Sequence, residues 1–405
     1  MAVDDDRSIL LAALESALRV HQQQSPRPTL LSGPGEPVIH AISAAIRKCS
    51  AFKLVAGHVL YSGGSGPVID APLFATPLFY RAERNEGKDI PQAVDWLLRL
   101  LATRQATGLF KAAIWGVSID QPLRLADGSH VLPFEALPDT HMKRRILERA
   151  VRCYDSSAWL AHNYFDAPKL AFVKEVPNFP YIRTDGASFQ TISELQYDAR
   201  DLWLFIEAAS VGHPLAIACW FEYGDQDLDV NGWQNQLAWL LPEIPPRVAS
   251  YAPVGASAVE DQLQRYAALP EELRSRLLRS MERFTLSQCR HKLIDRVLDL
   301  ELAFEIAVSG PGRDAAPMGW KVSVRSAQMI GGPLNLRQDN RDLINSLFRL
   351  RSAATHGSDL SSRDDRELND TVQRCLTVYR ELLSSFLAHG QMPDWSSLEL
   401  EPRRT

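Results

Sequence analysis

From residue 258 to residue 389 apolar side chains recur three and four positions apart almost without a break, and this sustained helical period constrains the fold more than any other feature of the chain. Its interruptions are glycine and proline, at Ser309-Gly-Pro-Gly312, Gly331-Gly-Pro333, Gly357 and Gly390. They divide the stretch into helices expected near 258–284, 287–308, 317–330, 340–356 and 362–389. The last carries Leu368, Val372, Cys375, Leu376, Tyr379, Leu382, Leu383 and Phe386 on one broad face, and Ser361-x-x-Asp364 ahead of it has the pattern of a capping box. Stripes of this kind are buried only by packing helix on helix, so a helical bundle is expected.

The first 225 or so residues mix two periods. Helices are expected at 5–22, behind a cluster of aspartates, near 38–50, and at about 91–105, with a long one at about 140–163 and another at 199–209. Residues 110–134 are rich in β-branched and aromatic side chains around a turn at Asp127-Gly128, which predicts a hairpin. A short strand is expected at 169–175 and a buried one at 214–223. Pro242, Pro245, Pro246, Pro253 and Gly255 crowd the stretch between them and the helical region. The expected fold class is therefore α+β. A mixed N-terminal sensor or regulatory domain (1–225), a connecting segment (226–257), a helical bundle (258–392) and a tail (393–405) are expected, because 405 residues exceed the roughly 250 to 300 at which a single core stops growing.

No apolar run reaches the roughly 20 residues of a bilayer span, and Met-Ala-Val-Asp-Asp-Asp lacks the basic and apolar parts of a signal peptide. A cytoplasmic protein with no membrane contact is expected. Cys49, Cys153, Cys219, Cys289 and Cys375 are odd in number and far apart, so reduced, buried thiols are expected rather than disulfides or zinc. Asp295 and Asp299 stand four apart on one helix face, where a solvated stripe or cap is the expected role rather than a metal pair. The glycine-rich stretches 32–37 and 62–67 lack the lysine that a phosphate-cradling loop requires. No cofactor and no metal are expected. Trp96, Trp115, Trp203 and Trp220 fall on apolar faces and are expected in the core, and the basic run at His141, Lys143, Arg144 and Arg145 on a solvated face.

The formal charge of −5 excludes a protein that coats nucleic acid by overall charge, yet residues 270–356 hold 14 Lys/Arg against 10 Asp/Glu, a local net of +4. Within that stretch lies Arg351-Ser-Ala-Ala-Thr-His356-Gly. With 35 arginines and 10 histidines in 405 residues, about one Arg-x4-His pair arises by chance, so the spacing alone carries little weight. Context adds more: Leu343, Ile344, Leu347 and Phe348 give the preceding helix its apolar face, and Gly357 suits a helix stop. Residues five apart on a helix differ by about 140° and about 7.5 Å, so one intact helix cannot aim both at one point.

Three ordered pieces resemble the HEPN family, and within it the ApeA-like branch: RHKLIDRVLDLELAFE at 290–305, KVSVRSAQMI at 321–330 and FRLRSAATHGSD at 348–359. The resemblance implies a helical bundle that forms a homodimer, joins two Arg/His pairs in one composite cleft and cleaves RNA, tRNA among the possible substrates, without metal. It also implies a place in prokaryotic anti-phage or abortive-infection defence, with a trigger, phage-derived or nucleotide, that the residues do not name. Arg351 can hold the scissile phosphate through parallel hydrogen bonds, and His356 can exchange protons with a ribose 2′-hydroxyl or a leaving 5′-oxygen. Ser352 stands where many catalytic members have Asn, Asp or His. Glu301 and Arg325 sit at family-like positions, as auxiliary groups or as an ion pair tying two helices together, and Asp295 lies near them in the first of the three pieces. A non-catalytic scaffold of the same family, which dimerises and binds RNA or a partner protein, is the alternative.

Overall fold

The structure is a computed structural model. It describes residues 2–24, 35–61, 66–83, 89–152, 167–183, 191–210, 213–230, 238–239, 252–309, 318–355 and 365–400. The fold is α+β, with a mixed N-terminal region and a helical C-terminal region.

The chain opens with helices α1 (Ala2–Gln24), α2 (Glu36–Lys48), α3 (Ser50–Lys53), α4 (Ala71–Glu83) and α5 (Ile90–Ala102). Asp4 and Asp5 in the first turn of α1 suit the positive end of its dipole, and Leu10, Leu14, Ala17 and Leu18 form its buried stripe. Asp6 turns inward instead and caps α3, accepting from the Ser50 and Ala51 amides at 2.8 and 2.9 Å. One expectation changes here: the helix expected at about 91–105 is α5, which stops at Ala102 because an extended strand begins at Gln105. Helix α4, which no expectation covers, accommodates Pro77 in its interior.

The strands are β1 (Val59–Leu60), β2 (Gln105–Trp115), β3 (Val117–Ile119), β4 (Leu123–Arg124), β5 (His130–Pro133), β6 (Leu170–Pro180), β7 (Ile182–Arg183), β8 (Ala216–Tyr223), β9 (Ala238–Trp239) and β10 (Ala252–Val254). Six form one antiparallel sheet in the order β4-β5-β6-β2-β8-β9, while β1 pairs with β7 and β10 runs parallel to β3. The hairpin at Asp127-Gly128 joins β4 to β5, with Gly128 at positive φ. The strand expected at 169–175 is longer, since β6 continues through Pro177 as the neighbour of β2. The stretch expected only to connect also supplies β9 and β10.

Both faces of the sheet are covered, which is why β2 and β8 read as near-continuous apolar runs. Ala113, Trp115, Ala171, Val173, Ala218 and Trp220 on one face pack with Phe134 and with Met142 and Ile146 of α6 (His141–Arg152). Lys111 and Glu222 are buried as an ion pair between β2 and β8. The opposite face, with Phe110, Ile114, Phe172 and Ile217, packs beneath α7 (Ile192–Asp198) and α8 (Arg200–Ala209). Gly116 must be glycine: its φ is +94°, and a Cβ would stand 2.4 Å from the Pro214 carbonyl oxygen.

The C-terminal helices are α9 (Ala256–Ala267), α10 (Glu271–Cys289), α11 (Leu293–Val308), α12 (Met318–Ile330), α13 (Leu334–Thr355), α14 (Asp365–His389) and α15 (Trp395–Leu400). The single helix expected at 258–284 is two, because Pro270 cannot continue α9 and instead precedes α10, which runs on to Cys289. The helix expected from 340 begins at Leu334, directly after Gly331-Gly-Pro333. The expected tail contains α15, docked by Trp395 and Leu398. The capping box at Ser361 and Asp364 lies outside the described residues. Ser280 donates to the Ala303 carbonyl at 2.7 Å and shares a hydrogen bond with Tyr379, whose ring stacks on Phe284 at 4.5 Å, so α10, α11 and α14 are locked at one point.

One hydrophobic cluster runs without a break from the sheet through α8 into α9–α14. At this junction Glu207 is wholly buried; its two oxygens accept from the Leu215 amide at 2.8 Å and from the Gln288 side chain at 3.1 Å. Burial pushes its carboxyl up to about 8, against the opposing pull of the Leu215 bond. The folded value lies above the ordinary one, so the native state keeps a proton that the unfolded chain releases, and the stabilisation, complete below the unfolded value, is lost as the pH rises toward 8. Glu207→Gln is expected to gain stability relative to the parent protein between about pH 5 and pH 8, read from urea midpoints. A pH-independent difference would count against this reading.

Trp96, Trp115, Trp203 and Trp220 are all core residues, as their periodicity predicts. Cys49, Cys219, Cys289 and Cys375 are buried thiols in no disulfide among the described residues, and Cys153 lies outside the described residues. No described helix is long and apolar enough to cross a membrane.

Candidate active site

Helix α13 carries the candidate site in its last turn. Leu343, Ile344, Leu347 and Leu350 bury one face of it against the bundle, which fixes the direction of Arg351. The guanidinium reaches α11, where Nη1 donates to Glu301 Oε1 at 2.9 Å. The two partners are unlike: the Arg351 side chain is 43% exposed and that of Glu301 only 2%. Burial, the first cause, pushes the Glu301 carboxyl up to about 7 although Arg351 pulls it down, and Glu305 adds to the rise. A half-exposed cation held by a carboxylate that titrates near neutrality is an arrangement more common at functional sites than elsewhere.

The surrounding ion pairs differ from the expected ones. Glu301 and Arg325 do not pair with each other, because α12 turns Arg325 away toward the end of the chain. There its Nε donates to Glu399 of α15 at 2.6 Å, its Nη1 donates to the Val308 carbonyl at 3.3 Å, and its guanidinium lies 5.2 Å from the Trp395 ring centre. Arg325 thus ties α12 to α11 and α15. Asp299 is buried between Arg283 at 3.2 Å and Arg290 at 2.8 Å, a structural clamp instead of a solvated stripe. Asp295 is half-buried in the first turn of α11, and Ser352 is exposed beside Arg351. His356 lies outside the described residues, one position beyond the end of α13. Among the described residues no group of three or more His, Cys, Asp or Glu is placed to hold a metal ion.

The helices around Arg351 have a fixed polarity. Arg337 donates to Gln328 at 2.6 Å near one end of the α12–α13 pair, and Gly319 lies against Phe348 near the other, so the two helices are antiparallel. The start of α12 and the middle of α11 therefore both stand level with the last turn of α13. The chain matches no protein-family model, no curated protein and no solved structure.

The basic run on α6 is a solvated face, as expected: Arg144 and Arg145 are exposed, and Lys143 donates to the Glu135 and Leu137 carbonyls. Sequence reasoning missed the Glu301–Arg351 pairing, which joins positions 50 residues apart. It also gave no notice to Trp320, although a tryptophan beside a glycine at a helix start was the available signal.

The Glu301–Arg351 pair yields a direct test. The folded carboxyl value of about 7 lies above the ordinary one, so stability from this group is complete below the unfolded value and is lost as the pH rises toward 7. Glu301→Gln removes that loss and leaves a half-exposed arginine that water can solvate. The variant is expected to gain stability over the parent protein from about pH 5 to pH 7, measured by denaturant midpoints. A loss that deepens over the same range would show that the ion pair outweighs desolvation.

Proposed function

We propose that the chain is a metal-independent endoribonuclease of the HEPN type, of the ApeA-like branch, acting in the cytoplasm as a homodimer whose two copies of Arg351 and His356 share one cleft. The observation that carries this reading is Arg351 itself: a half-exposed guanidinium at the start of the last turn of α13, anchored by the buried Glu301 carboxylate. Anchoring restricts the side chain before substrate arrives, which lowers the entropic cost of gripping a phosphate. Arg351 then neutralises charge that grows on the phosphate in the transition state, and His356 takes the proton from the ribose 2′-hydroxyl or supplies one to the leaving 5′-oxygen. The attacking oxygen belongs to the substrate, so the products end in 2′,3′-cyclic phosphate and DNA is inert. Glu301 is the positioning residue of this scheme, and Arg325 and Asp299 maintain the bundle around it. A role in anti-phage defence, with tRNA among the substrates, accompanies the family reading.

One observation favours a second reading. An arginine already paired with a buried carboxylate, followed by Ser352 where catalytic members carry Asn, Asp or His, also suits a non-catalytic scaffold that dimerises and binds RNA or a protein. Incubation of the purified chain with total RNA and with tRNA in EDTA separates the two. Cleavage that leaves cyclic phosphate ends supports the nuclease, and binding without turnover supports the scaffold.

A further inference from the structure

Trp320 is unlike the other tryptophans whose side chains are described. Trp96, Trp115, Trp203, Trp220 and Trp395 are at most 7% exposed, whereas Trp320 is 52% exposed. It is the third residue of α12, next to Gly319, where a Cβ would stand 3.0 Å from the Phe348 ring. The glycine lets the start of α12 lie directly on α13, and Phe348 precedes Arg351 by three residues, a rise of about 4.5 Å. Trp320 and Arg351 therefore both stand within about one helical turn of one contact, Trp320 on α12 and Arg351 on α13. Arg349, on the same turn of α13, is exposed as well.

We propose that Trp320 is the base-stacking residue of this site, and that the nucleic acid bound there is single-stranded RNA, its phosphate held by Arg351. The inference rests on the ribonuclease reading for the choice of RNA, and on the placement of Trp320 for the rest. An exposed indole offers a flat apolar surface on which any base can stack, and a cation within reach of the neighbouring phosphate completes the minimal unit of single-strand recognition. Duplex RNA keeps its bases stacked inside the helix and cannot use the indole. Stacking is tolerant of base identity, so the site selects strandedness rather than sequence.

A contact with a second protein fits less well. A stable interface buries about 800 Å² on each partner, and one aromatic side chain supplies about 250 Å² at most. The other exposed large apolar side chains of the described bundle, Leu334 and Leu336, begin α13 at the opposite end of α12, about 15 Å of helix rise away. Among the described residues of the bundle, no other exposed large apolar side chain lies at this end of α12.

The test is equilibrium binding of fluorescein-labelled oligouridine and oligoadenosine, made non-cleavable by 2′-O-methyl groups, to the full chain, with duplex RNA alongside. Trp320→Ala is expected to weaken single-strand binding by roughly 5- to 100-fold for both sequences while duplex binding is unchanged. Trp320→Phe should recover most of the loss, and the thermal midpoint of each variant should match the parent, since the side chain is exposed. Single-strand affinity unchanged in Trp320→Ala overturns the proposal, as does a dimer that becomes a monomer on light scattering with per-protomer RNA affinity retained, which would make Trp320 a subunit contact. The two readings fail separately. Trp320-dependent binding by a chain that cleaves no RNA leaves the stacking site and removes the nuclease, whereas undiminished cleavage by Trp320→Ala does the reverse. A parent chain that binds no RNA overturns both.

Discussion

If the proposed nuclease activity is present, Arg351→Ala is expected to slow RNA cleavage about 10²- to 10³-fold and His356→Ala about 10²- to 10⁴-fold, with EDTA making no difference to the parent chain. The two losses have different causes and so different signatures. In the proposed scheme Arg351 would act by charge, and its removal should weaken the salt dependence of RNA binding along with the rate. His356 would act by proton transfer, and its removal should flatten the pH–rate profile near neutrality while RNA affinity is preserved. Because the scheme uses the ribose 2′-hydroxyl, one 2′-deoxy nucleotide at the cut position should block cleavage by the parent chain as fully as either substitution. Equal cleavage by His356→Ala and the parent, or cleavage of the 2′-deoxy substrate, would end the proposal.

The parts of this fold that could be read from the sequence are those in which local period and burial agree. Helix α14 is one: the eight side chains that its spacing assigns to one face are all buried. Strand β8 is another, an apolar run with every residue covered. Misreadings occurred where distant residues override a local signal. Residues 71–83 drew no expectation, and Pro77 is a helix breaker by local rule, yet Phe74, Leu78 and Phe79 gain enough burial in the first helical layer to carry α4. The stretch at 226–257 looked like a linker because proline is common there, but its residues 238–239 find an open edge of β8 to pair with. For the candidate site, Arg351 was visible through its motif and Glu301 through the family-like helix, but their bond was not, since nothing local connects α11 with α13. The pairing expected between Glu301 and Arg325 was reasonable by charge and failed by direction. A helix places side chains about 100° apart, and position 325 falls on the side that faces α15.

Trp203→Ala is expected to destabilise the sheet and the bundle together, by about 3–5 kcal/mol, the usual cost of truncating a buried aromatic side chain. Trp203 lies on α8, its ring edge-on to Phe172 of β6 at 5.0 Å, and two residues later Phe205 meets Tyr266 of α9 at 5.2 Å. On the same helix Glu207 binds Gln288 of α10, and Arg200 pairs with Glu282 at 3.1 Å. Helix α8 is thus packed on the sheet by one face and on α9 and α10 by another, within one unbroken apolar cluster. A cavity opened at Trp203 removes contacts from that cluster where its two halves meet, so the loss cannot stay on one side. Amide hydrogen exchange should lose protection in β2 and β8 and also in α10 and α11, and urea unfolding should remain a single transition. If protection falls in the strands alone, or if two transitions appear, then the bundle that carries Arg351 folds independently of the sheet, and the packing through α8 does not couple the two regions.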